Sequence, residues 1–204
     1  MGPEDKNPAS RANYISGSPP VWLAGFAHAH HPGILPAPCA PRFQELVDLG
    51  AHPASSPAEA AERSDIIFTM VGTPVDVESV VAGPEGTLAG LSTGGMTVDM
   101  TTSCPTLAIR LAELAAQQGK VSIDAPVTGG DVGAQNGTLS IFLGGKATDC
   151  LLLEPVLDSM ATTVNRFGDA GAGQQAKLAN QIGIASQVQP HTAPIGEWDG
   201  GGSS

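Results

Sequence analysis

The 204 residues suffice for one ordinary domain, or for one domain and part of another. Hydrophobic residues make up 41% and aromatics only 4%, so any buried core must be aliphatic and alanine-rich. A formal net charge of −11 argues against nucleic acid and weighs against an anionic membrane surface, and no apolar run reaches the length of a spanning helix.

Residues 1–40 are rich in proline, glycine, alanine and histidine and are predicted to be mostly irregular, with a short apolar strand or turn over 21–26. His28, His30 and His31 have no cysteine or carboxylate partner at fixed spacing, so no metal site is assigned to them. The first twenty residues contain no apolar signal-peptide core. Glu4 and Asp5 fit a mitochondrial transit peptide poorly. Cys39, Cys104 and Cys150 are odd in number and form no CxxC pair, which reads as reduced thiols. A cytoplasmic location is expected, with the mitochondrion as the alternative.

From Pro41 the texture changes. Phe43, Leu46 and Val47 have helical spacing before Gly50. Ser56-Pro57-Ala58-Glu59 is a helix start with serine as cap and proline first, and that helix runs to about Arg63. Residues 65–71 (DIIFTMV) read as a strand buried on both faces. Thr73-Pro74 opens a helix to about Val81, residues 97–100 read as a strand, and 105–118 as an amphipathic helix closed by Gly119. Strands follow at 121–125 and 139–143, then a helix over 148–157, a strand over 164–167 and a last helix from about Gly173 to Gln187. Ala176, Ala179, Ile182 and Ile184 lie on or near one side of that helix. Alternating strands and helices imply a parallel α/β sheet with helices on both faces.

Two constellations stand out. Thr128-Gly129-Gly130 follows a strand, and its glycines let main-chain N–H groups converge on an anion such as a carboxylate, with the threonine hydroxyl as a further donor. A bare TGG is most often a tight turn and nothing more. Lys177 and Gln181 are four residues apart and share a helical face, which Asn180 flanks. A lone helical lysine is usually a solvated surface residue. Gly171-Ala172-Gly173-Gln174-Gln175-Ala176 fits GxGxxA but has no βαβ unit behind it, so it is discounted as a nucleotide loop.

The order and spacing of DAPVTGG, Gly133-Ala134, Gly137-Thr138-Leu139, Gly144-Gly145 and GAGQQAKLANQ resemble the substrate and catalytic segments of the β-hydroxyacid dehydrogenase family. The resemblance covers roughly residues 42–187. It implies an NAD- or NADP-dependent oxidoreductase that interconverts a small 3-hydroxy carboxylate and its aldehyde. It implies that Lys177 is the catalytic acid/base, and that Thr128, Gly129, Gly130, Asn180 and Gln181 bind substrate. Thr128 stands where the family usually has serine. The strand-to-helix loops carrying Thr73, Pro74 and Thr102 would touch the nicotinamide; Val71-Gly72-Thr73 replaces the usual leucine-proline start of the first loop.

The GxGxxG loop that opens such enzymes has no counterpart in residues 1–40, where Gly17, Gly25 and Gly33 are too far apart. The organisation expected is an irregular segment over 1–40, then an incomplete Rossmann-like domain over 41–168. The first helix of an all-α C-terminal domain follows over 169–187, and a loose tail over 188–204. A family member shortened at both ends would expose the edge of its parallel sheet and leave the last helix without a partner for its apolar face. The alternative function is a non-catalytic protein that associates with full-length relatives, as a homo- or hetero-oligomer.

Overall fold

The structure is a computed structural model that describes residues 12–17, 34–36 and 52–188. The apolar segment at 21–26, the histidine cluster, the helix predicted over 42–49 and the tail beyond 188 lie outside those residues.

Three strands precede the first helix described: β1 (Ala12–Gly17), β2 (Ile34–Pro36) and β3 (His52–Ala54). The next strand, β4 (Ile66–Val71), sets the layers of the fold. Its successive side chains point to opposite faces, and Ile66 and Phe68 are buried on one side while Ile67 and Val71 are buried on the other. A strand apolar on both sides must be covered on both sides. Helices α1 (Pro57–Glu62), α2 (Pro74–Ala82), α3 (Thr87–Gly90) and α4 (Pro105–Gln117) contribute to the core with Ile67. The other core layer holds Ile66, Phe68, Ile123, Ile141, Leu153 and Leu157.

Among the described residues the main sheet has seven strands, with β1 beside β4, then β5 (Met96–Asp99), β6 (Val121–Asp124) and β8 (Leu139–Gly144). The short β7 (Val127–Thr128) and the last strand β9 (Ala161–Gly168) both pair with β8. The run β1–β4–β5–β6 is parallel, as the alternation of elements predicts. Strand β8 runs antiparallel to β6 and β7, and β9 parallel to β8, so the sheet is mixed.

Three expectations are corrected here. Residues 1–40 are not simply irregular, because β1 pairs with β4 along its whole length, Ala12 with Ile66 through Gly17 with Val71. The bare edge predicted at β4 is therefore paired: its open N–H and C=O groups are a template that an extended segment with Tyr14 and Ile15 can satisfy. Strand β2 pairs with β3 in a separate small sheet. The single helix predicted over 148–157 is two, α6 (Ala147–Leu151) and α7 (Glu154–Leu157). Pro155 lacks the N–H that would reach back to Leu151, and its ring crowds that carbonyl, so it starts a helix here instead of continuing one. Residues after the TGG segment, read as loop, form the short helix α5 (Gly130–Asn136).

The last helix, α8 (Ala172–Val188), forms where the sequence places it. Its apolar side chains Leu178, Ile182 and Ile184 are exposed, as the unpartnered face requires. The helix is docked all the same, because Gly173, Gln174 and Lys177, in its first two turns, are buried.

Candidate active site

The site lies where the parallel strands end, because strand carboxyl ends leave their following loops open to one side of the sheet. β5 and β6 finish in register on two buried acids, Asp99 and Asp124. Asp99 Oδ1 accepts from the Thr69 hydroxyl at 3.2 Å and from the main-chain N–H of Thr101 at 3.1 Å. Burial pushes its carboxyl up to about 6 against the pull of the Thr101 and Thr69 donors, and the nearby Asp124 charge adds to the rise. Thr101 Oγ1 in turn accepts from the Val71 N–H at 2.9 Å, so the loops after β4 and β5 are tied together.

Asp124 anchors α8. Oδ1 accepts the N–H of Gly171 at 2.7 Å, and Oδ2 accepts that of Gln174 at 2.9 Å. These are the unsatisfied donors of a helix start, and a carboxylate there is favoured by the helix dipole. Burial nevertheless raises its carboxyl above the ordinary range, outweighing those main-chain donors. Gly173 makes the approach feasible. A Cβ at this position would lie 2.3 Å from the Phe142 carbonyl oxygen and 2.8 Å from Asp124 Oδ2. Gly173 of GAGQQA thus serves close packing of helix on sheet.

Four residues after Gly173, on the same helical face, Lys177 is only 5% exposed. Its Nζ donates to Gln181 Oε1 at 3.1 Å, which realises the pairing predicted from spacing. Desolvation holds the ammonium below the ordinary lysine value. Asn180 lies beside them, and its Nδ2 is buried without a hydrogen-bond partner among the described residues.

Thr128 is half-buried in β7, paired with Ser140 of β8. Gly129 at φ 133° and Gly130 at φ 61° adopt backbone conformations open to glycine, and both are exposed where α5 begins. The anchor points of the two constellations on β8, Ser140 for Thr128 and Phe142 for Gly173, are two residues apart, or about 7 Å along a strand. One stretch of β8 therefore supports both.

Thr73 caps α2 reciprocally with Asp76: its N–H and hydroxyl donate to Asp76 Oδ2 at 2.9 and 2.7 Å. Thr73 and Thr102, on the loops after β4 and β5, and Pro74, the first residue of α2, are exposed. Sequence reasoning passed over Asp99, Thr101, Ser103, Asp124 and Gln174. The available signal was an acid closing each of two apolar strands, Asp99 after TV and Asp124 after SI.

The profile of the NAD-binding domain of 6-phosphogluconate dehydrogenase matches residues 38–168. The chain belongs to this family. Within it, the chain is a β-hydroxyacid dehydrogenase relative. The probable 3-hydroxyisobutyrate dehydrogenase-like 1, mitochondrial, of Arabidopsis thaliana is 54% identical over 148 residues, 72% of this chain and 44% of that protein. The 3-hydroxyisobutyrate dehydrogenase of Pseudomonas aeruginosa is 38% identical over 137 residues, 67% of this chain and 46% of that enzyme. A Mycobacterium tuberculosis 3-hydroxyisobutyrate dehydrogenase structure, with L-serine, superposes with a TM-score of 0.68 at 32% identity, covering 76% of this chain and 52% of that one. This member thus spans about half the length of the relatives it matches.

The family implies a nicotinamide cofactor. Gly72 and Thr102 are exposed on the loops after β4 and β5, and the Ser103 hydroxyl is buried with no hydrogen-bond partner among the described residues, polar groups compatible with such a ligand. Among the described residues no helix is long and apolar enough to cross a membrane.

Proposed function

We propose that this chain performs NAD(P)-dependent hydride transfer of the β-hydroxyacid dehydrogenase type, interconverting a small 3-hydroxy carboxylate and its aldehyde. One observation carries the reading. Lys177 is a buried ammonium met by the Gln181 amide and, among the described residues, by no carboxylate. Such a cation calls for a negative partner, and a developing alkoxide is one.

The bound nicotinamide supplies or accepts the hydride. In the reducing direction Lys177 Nζ gives its proton to the carbonyl oxygen as hydride reaches the carbonyl carbon, leaving the amine neutral. In oxidation the amine takes the proton back. Desolvation of the ammonium favours both directions by moving its affinity for the proton toward neutrality. Gln181 orients the lysine, and Asn180 Nδ2, without a partner among the described residues, would donate to substrate. Thr128, Gly129 and Gly130 would hold the substrate carboxylate, with the α5 amide groups adding donors. Thr73, Pro74 and Thr102 would line the nicotinamide, NAD or NADP. The name of the plant relative supports the mitochondrion over the cytoplasm as compartment.

Titration of the purified chain with NADH and NADPH, followed by cofactor fluorescence, tests the cofactor; a Kd tighter than about 1 mM is expected. Turnover of 3-hydroxy carboxylates is expected to vanish in Lys177→Ala. Turnover unchanged in that variant would remove Lys177 from the chemistry.

A further inference from the structure

We propose that Gln174 is a positioning residue that registers Lys177 against the loop at residues 101–103. This role rests on the reading of Lys177 as acid/base given above, but its geometry can be tested without turnover. Gln174 is 1% exposed, an unusual place for a flexible polar side chain. Both ends of its amide are satisfied, and both by one loop. Oε1 accepts the Ser103 N–H at 2.8 Å, and Nε2 donates to the Thr101 carbonyl at 2.7 Å. Its own main-chain N–H goes to Asp124.

The choice of residue is informative. An apolar side chain of this size would dock the helix by burial, but burial is non-directional and permits rotation and axial slip. Paired donor and acceptor bonds to two main-chain groups fix both motions. Lys177 follows three residues later on the same side of α8, so whatever fixes Gln174 fixes the lysine. The connection continues through the Thr101 hydroxyl to Val71, at the end of β4. A polar chain thus joins two strand-end loops to the helix that carries the ammonium.

The test compares the wild-type chain with Q174M and Q174E. The Lys177 ε-amine is titrated by NMR after ¹³C reductive methylation, its signal assigned with Lys177→Arg, and amide exchange is followed at Ser103. Wild-type Lys177 is expected to titrate below the other lysines. In Q174M, exchange at Ser103 should rise by about tenfold or more. The Lys177 titration should move up toward the ordinary lysine value, and kcat should fall by about tenfold or more. A merely structural glutamine would lower Tm and leave the Lys177 titration where it was, and that result overturns the proposal.

If Q174M does not fold, Q174E decides. It keeps the size and the acceptor for Ser103 but turns an oxygen toward the Thr101 carbonyl. Its defect should appear at high pH and reverse at low pH, where the protonated acid donates again. A Q174E chain with wild-type exchange at every pH also overturns the proposal. Should Lys177→Ala retain turnover, the catalytic reading fails, while the exchange and titration results still report whether Gln174 sets the position of the lysine.

Discussion

Asp124 Oδ2 accepts the main-chain N–H of Gln174, fifty positions later in the chain, at 2.9 Å. With the Gly171 contact on Oδ1, this carboxylate binds the end of β6 to the start of α8. Asp124→Asn presents one oxygen and one NH₂ to two N–H donors, so one pair becomes repulsive. A loss of about 1.5–3 kcal/mol is expected, as for hydrogen bonds to charged groups. Chemical denaturation checks it, and amide exchange at Gly171 and Gln174 should rise together.

Lys177→Met should remove activity and stabilise the fold. Burial lowers the lysine pKa in the folded state, so its contribution is intact above the unfolded value of 10.5 and is lost as pH falls through the folded value. At pH 7 the wild-type chain carries that penalty and the methionine variant does not. The methionine variant is expected to be the more stable at pH 7, with the difference fading as pH approaches 10.5. Thermal melts across that range test it.

Asp99→Asn should be neutral in acid and stabilising above pH 6. The wild-type carboxyl is raised from 3.8 to about 6 on folding, so the native state binds the extra proton between those values. Stability from this group is full below about 3.8 and declines as pH rises to about 6. Asparagine keeps an oxygen for Thr69 and Thr101 without the buried charge. The Tm difference between the two proteins should open across this window and then level off.

Two glycines should respond differently to alanine. At Gly173 the new methyl group would meet the Phe142 carbonyl oxygen at 2.3 Å, so the helix must lift from the sheet. At Gly130 nothing lies within 4 Å, and only the left-handed backbone at φ 61° resists. Gly173→Ala is expected to cost about 3 kcal/mol and Gly130→Ala about 1 kcal/mol. Equal losses would contradict the docking geometry.

Elements with local signals were legible in the sequence. Ser56 and Thr73 cap the helices that their side chains announce, each accepting from the residue three positions on. Glu59, three residues after the Ser56 cap, accepts from the N–H and hydroxyl of Ser55. The strand at 66–71 was legible because β-branched and aromatic residues crowd a short run. The pairing of Lys177 with Gln181 was legible because helical spacing alone puts them together. Hidden features depended on distant partners. β1 is visible as a strand only once β4 offers it an edge. The burial of Gln174 and Lys177 inverts the usual pattern of an amphipathic helix, and it follows from Asp124 and the residue 101–103 loop, which no local window contains. The break at Pro155 was legible in principle and was outweighed by the apolar spacing around it.

Four hydrogen bonds, through Asp124 and the Gln174 side chain, grip the root of α8, whereas residues 181–186 are all exposed. A beam clamped at one end bends least beside its clamp. Lys177 stands next to that clamp, and so the ammonium is carried by the stiffest part of the helix.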